Sequence, residues 1–179
     1  MAERTATHLL LNRGLFLGLC LLLIYVQILP LETTPRRWTG PDMLVVMSVA
    51  WTLRRPEYAP AWLLAGVMLL GDFLFMRPPG LFSALTVILC EFMRRRSVLL
   101  RDTAFAIEWL SATGAIVALA LGNRLIMTIF FIEQVPLGLT LIQMIMSILC
   151  YPLVVLFAWA FLGLRKAAPG DLNALGGRP

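Results

Sequence analysis

The stretch LLGDFLFMRPPGLFSALTVILCEFMRRR, residues 69–96, decides the fold. Two apolar runs flank the tetrapeptide RPPG at 77–80. Neither Pro78 nor Pro79 can continue a helix, because proline has no amide donor and its ring clashes with the preceding turn. The reading is a helical hairpin with a very short turn: a run over 59–76, then Leu81–Met93, closed by Arg94, Arg95 and Arg96. Both runs are built for lipid, yet the first carries Asp72 and the second Glu91. A membrane segment keeps a carboxylate either to line a transport or proton path, or to hold helices against each other or against a partner.

Composition extends the membrane reading to the whole chain. Of 179 residues, 60% are hydrophobic and 14% charged, against about 25% charged in soluble domains. Such a chain cannot cover its surface with polar groups in water, and its length leaves no room for a sizeable soluble domain beside the spans. The net charge of +5 comes almost wholly from arginine, Lys166 being the one lysine. These arginines sit between apolar runs, so they report topology rather than a basic face for nucleic acid. Cys20, Cys90 and Cys150 each lie inside an apolar run and read as small buried hydrophobes. His8, the one histidine, stands near the N-terminus, and a metal site would need several more nitrogen or sulfur donors. No cofactor is expected.

The first apolar run, Leu15–Leu31, has a basic start like a signal peptide, but ILPLETTPRRW is a poor cleavage site and more membrane segments follow. It reads as a retained span. The second run, Met43–Leu53, starts at GPD, where Pro41 and Asp42 suit a helix N-terminus, and ends at WTLRRPEYAP. At about 1.5 Å per residue it cannot cross a roughly 30 Å hydrocarbon core without its flanks. Two readings stand: a span with Trp38 and Trp51 near opposite interfaces, or a segment lying partly in the interface. The fifth run, Thr103–Gly122, is interrupted by Asn123–Arg124. The piece that follows, LIMTIFFIEQV, is too short to span and either continues the helix or lies along the surface. The sixth, Leu137–Leu164, contains Pro152, which frees the carbonyl of Ile148 and predicts a kink.

The expectation is an all-α membrane protein, a six-transmembrane-helix bundle in a single domain over 1–164, with spans near 9–31, 42–56, 59–76, 80–96, 102–122 and 135–164 and a polar tail at 165–179. With the N-terminus inside, Arg36, Arg37, Arg77 and Arg124 fall outside and the other eleven of the fifteen cations fall on the cytoplasmic side. That bias favours six spans and cytoplasmic ends. Dropping the second span would invert every later loop and place Arg94–Arg96 outside.

The intramembrane acids follow helical spacing. Asp72 shares a face with Ala61, Ala65 and Met68, so it points into the bundle and needs a partner there; the plain reading is a structural hydrogen bond near the outer boundary. Glu91 has Arg94 and Arg95 three and four residues on, and the plain reading is an interfacial ion pair. Glu108 is placed about two turns into the fifth span, on a face with Ala104, Ser111, Ala112 and Ala115. Gly114, Ala118 and Gly122, and Gly14 with Gly18, form small-xxx-small patterns that favour close helix packing. There is no nucleophile–base pair, Gly-rich phosphate loop, metal-ligand cluster or convincing repeat, and the three acids fall at different depths. An enzyme is therefore not expected.

GPDMLVVMSVAWTLRRPEYAP at 40–60, GDFLFMRPPGLFSALTVILCEFMRRR at 71–96, LGLTLIQMIMSILCYPLVVL at 137–156 and RKAAPGDLNALG at 165–176 together resemble the rod shape-determining membrane protein family MreD, in its alphaproteobacterial form. The likeness runs from about residue 9 to 177 and lies in the order of the motifs. It implies a bacterial inner-membrane scaffold of the cell-elongation machinery without catalytic activity. The partners it implies are MreC and, through MreC, the MreB filament and the glycosyltransferase–transpeptidase pair that builds lateral peptidoglycan. It also implies a fold like the six-helix substrate-binding component of energy-coupling vitamin transporters, which supports six helices but not transport. On this likeness Asp72 with Pro78, Pro79 and Gly80 shapes the third-to-fourth hairpin, with an outer partner contact second. Asp42 starts the second helix, and Arg54 with Arg55 anchors it at the cytoplasmic face. The alternative is a small-molecule-binding membrane component of a transporter.

Overall fold

The shortest apolar run supplies the centre of the molecule. In the computed structural model, which describes residues 2–29, 39–97 and 104–162, Met43–Arg54 forms α2, and every residue from Leu44 to Leu53 is buried. The other helices are α1 (Ala2–Ile28), α3 (Ala61–Leu74), α4 (Leu81–Ser97), α5 (Phe105–Ile129) and α6 (Leu137–Leu162). No strand occurs among the described residues, so the chain is an all-α bundle. A helix that is apolar all round has no face to give to water and is either enclosed by other helices or set against lipid; α2 is enclosed. Here α1, α4, α5 and α6 all pack on α2, and α3 packs on α4 and α1.

Three helices are long and apolar enough to cross a membrane: Thr7–Ile28 within α1, Phe105–Ile129 and Leu137–Ala160. The chain is thus a membrane protein by its helices. At 1.5 Å per residue, α2, α3 and α4 are only about 18, 21 and 26 Å long, short of a ~30 Å core. Arg36, Arg37, Trp38, Arg101 and the tail from residue 163, with Arg165, Lys166 and Arg178, lie outside the described residues, as does the side chain of Arg4.

One open reading closes and one expectation needs correction. The piece after Asn123–Arg124 continues the fifth helix. It runs through Asn123 and Arg124 to Ile129, because Arg124 turns sideways and bonds the Val135 carbonyl (3.1 Å) and the Thr140 hydroxyl (3.2 Å) of the α6 side. A polar pair that finds partners across a hairpin need not break a helix. The glycine patterns are also not packing seams within this chain. A Cβ added at Gly14, Gly18, Gly114 or Gly122 would meet nothing within 4 Å. The buried face of α1 is Phe16, Cys20 and Ile24, two residues on from Gly14 and Gly18 and so on the opposite side of the helix.

Helices α3 and α5 end by the same device. Past α3, the Met76 amide donates to the Phe73 carbonyl (3.4 Å) and the Arg77 amide to the Asp72 carbonyl (3.0 Å). Past α5, Phe131 and Ile132 bond Thr128 (3.2 Å) and Met127 (2.9 Å) in the same register. Both are Schellman ends, which put the residue after the cap in the left-handed region. Glycine usually takes that place, but here it is Met76 and Phe131, each at φ 53° and 95% and 96% exposed. Met76→Gly is expected to stabilise the bundle by ~1 kcal/mol by removing the Cβ strain, read as a raised thermal midpoint in detergent. An unchanged or lowered midpoint would show that the methionine side chain outweighs the strain.

Pro152 sits inside α6. The Ile148 carbonyl that it frees accepts a hydrogen bond from the Trp109 indole of α5 at 3.1 Å. Helix α5 therefore supplies the donor that the proline removed.

Candidate functional site

The polar residues of the bundle gather at the two ends of α2. At its N-terminus Asp42 is the cap, with Oδ1 accepting from the Val45 amide at 3.3 Å. Its Oδ2 meets Nη2 of Arg77 at 3.1 Å. The Asp42 amide donates to the Ser147 hydroxyl at 2.9 Å, and that hydroxyl donates to the Gln143 carbonyl at 2.7 Å. One residue thereby joins α2, the α3–α4 turn and α6. Arg77 also lies over the Phe82 ring, 4.6 Å from its centroid, so its charge is held by a carboxylate and an aromatic face together.

Asp72 stands beside this cluster and is 1% exposed. Its Oδ2 accepts from the Gly80 amide (3.1 Å), the Ser83 amide (3.1 Å) and the Ser83 hydroxyl (2.5 Å). The first amides of a helix have no partner within it and carry a partial positive charge. A carboxylate from the last turn of α3 therefore caps the first turn of α4. Pro78 and Pro79 bring the chain back within reach, and Gly80, at φ +88°, takes a conformation that other residues adopt only with strain.

At the other end of α2, Arg54 meets Glu108 through Nε to Oε1 at 2.7 Å and Nη2 to Oε2 at 3.4 Å. The Tyr151 hydroxyl donates to the same Oε1 at 3.0 Å. Glu108 is 1% exposed and lies in the first turn of α5, not two turns in, because the helix starts only at Phe105. The group ties α2, α5 and α6 together. Arg54, expected as an interfacial anchor, is turned into the bundle instead. Arg55 pairs with Glu57 at 3.3 Å and lies over Tyr58. Glu91 pairs with Arg94 at 3.4 Å, three residues on. Arg94 also donates to the Ala59 carbonyl, and Arg13 to the Glu57 carbonyl at 3.1 Å. These bonds set α1, the α2–α3 turn and the end of α4 at one end of the bundle.

The sequence reading found the acids and missed most of their partners. Ser83, Ser147 and Tyr151 carried no sequence signal beyond being hydroxyls in apolar helices, and their partners lie 11, 105 and 43 residues away.

Unequal helix lengths open a hollow at the Asp42 end. Glu108 is level with the C-terminus of α2, so most of the extra length of α5 extends beyond the N-terminus of α2, by roughly 13 Å at 1.5 Å per residue. The resulting open cavity is about 1120 Å³. Its lining includes Asp42, Val45 and Ser147 around the end of α2, Asn123 and Arg124 of α5, and Gln143 of α6. Among the described residues no three His, Cys, Asp or Glu side chains group to hold a metal ion. Compared with protein-family models, curated proteins and solved structures, the chain matches none.

Proposed function

We propose that this chain is a non-enzymatic scaffold of the bacterial cell-elongation machinery, of the MreD type. On this reading it sits in the inner membrane with six crossings and both termini cytoplasmic. It binds MreC and, through MreC, meets the MreB filament and the glycosyltransferase–transpeptidase pair of lateral peptidoglycan synthesis. The order of its sequence motifs suggests the family.

The observation that carries the scaffold reading is how the buried acids are used. Asp42, Asp72 and Glu108 each bond the backbone or side chains of another segment of the bundle; Asp42 and Asp72 stand side by side at one end of α2 and Glu108 at the other, and each carboxylate is taken up by donors of the protein itself. Acids used this way give a rigid surface for partners. The crossing pattern draws on charge: Arg13, Arg54, Arg55 and Arg94 share one end through the contacts above, with Arg77 and Arg124 at the other.

Depletion in the native host, with affinity capture of the tagged chain, tests it. The expected result is loss of rod shape and co-purification of a single-span partner with a periplasmic coiled coil. Cells that stay rod-shaped, with no such partner captured, would refute it. A second reading, a small-molecule-binding component of a transporter, draws on the 1120 Å³ cavity. It requires instead a vitamin-like ligand and a recruited coupling subunit.

A further inference from the structure

The cavity beyond the N-terminus of α2 is lined by polar groups whose hydrogen-bonding capacity the bundle uses only in part. Nη1 of Arg124 bonds only neutral oxygens, those of Val135 and Thr140. The Asn123 amide reaches only the Met127 sulfur, at 3.6 Å, a weak acceptor. The Gln143 carboxamide makes no hydrogen bond among the described residues. All three side chains line the cavity.

Of the acids on the same lining, Asp42 is occupied by Arg77. Glu133 is exposed near the α5–α6 turn and forms no ion pair among the described residues. Arg124 is thus a guanidinium bound to neutral oxygens and to no carboxylate among the described residues, and two amide side chains, Asn123 and Gln143, line the same cavity. That donor set matches the several oxygens of a phosphate, which a guanidinium can bind through two parallel bonds. Leu81, Ile116, Leu119 and Met144 line the same space and give it an apolar wall.

We propose that this cavity binds a phosphate-bearing group, held by Arg124 with Asn123 and Gln143, with any alkyl part of the ligand on the apolar wall. The chemistry is shared by a lipid headgroup and by a soluble phosphate. It does not depend on the scaffold reading: cell shape and partner capture test that reading, and binding in detergent tests this one.

The experiment uses the full chain purified in an uncharged maltoside detergent, titrated with dodecyl phosphate and, separately, with inorganic phosphate. One saturable dodecyl phosphate per chain is expected by calorimetry or native mass spectrometry. Arg124→Gln should weaken it about tenfold or more, and Gln143→Leu several-fold. Arg96→Gln should leave it unchanged, because Arg96 lies over Phe92 at the far end of α4. Competition by inorganic phosphate at the same site identifies a soluble ligand, and its failure to compete identifies a lipid headgroup. Gln143→Leu removes no side-chain hydrogen bond of the fold, so it remains decisive if Arg124→Gln does not fold. No saturable binding, or equal binding by folded Gln143→Leu and wild type, overturns the proposal.

Discussion

Glu108→Leu is expected to lower the stability of the bundle by about 3 kcal/mol, the low end of the 3–5 kcal/mol seen when one partner of a buried ion pair is removed. The substitution leaves the Arg54 guanidinium, only 12% exposed as a side chain, without the carboxylate it grips through two nitrogens. It also leaves the Tyr151 hydroxyl without its acceptor. The low end applies because Arg54 is the last residue of α2, and its flexible stem can carry the charge toward the interface once released.

Removing both charges together should behave differently. In Arg54→Met with Glu108→Leu nothing charged remains to be desolvated, and most of the loss should return. Thermal unfolding in detergent, followed by circular dichroism across the two single variants and the double, separates these cases. A double variant no more stable than Glu108→Leu alone would mean that the triad acts through packing and not through charge.

Asp72→Ala is the second large effect. It strips the acceptor from two amides and a hydroxyl in the first turn of α4. A buried donor left unmade costs about 1–3 kcal/mol; with the Gly80 amide only half-buried, the three together point to roughly 3–6 kcal/mol. Asp72→Asn keeps one oxygen acceptor and loses the charge, and it should cost about 1–2 kcal/mol. The same measurement checks both, with the order Ala worse than Asn as the diagnostic. Equal stability of wild type and Asp72→Ala would remove the capping role. Because Asp72 faces inward, Asp72→Asn is also expected to leave partner capture and cell shape intact. Altered partner capture by a folded Asp72→Asn protein would restore a contact role to this residue.

Local chemistry was legible in the sequence, and pairing across the bundle was not. Pro78 and Pro79 announced the hairpin because proline acts on its own backbone. Asp42 announced a helix start for a similarly local reason. The central place of α2 stayed hidden, since in a lipid-facing chain every helix is apolar and hydrophobicity cannot tell an interior face from a lipid face. For the same reason the glycine patterns of α1 and α5 suggested seams that the fold puts elsewhere. Asn123–Arg124 looked like a break because the Val135 carbonyl and Thr140 that receive Arg124 lie 11 and 16 residues on. Glu108 and Arg54 are 54 residues apart, and nothing local to either names the other.

The short α3–α4 pair has a consequence for the surrounding lipid. On that side the helices are about 21–26 Å long, while α5 and α6 are about 37–39 Å long. Acyl chains beside α3 and α4 must compress, and those beside α5 and α6 must stretch or the helices must tilt, at a fraction of a kcal/mol per Å. Each copy therefore sits in a lopsided dent.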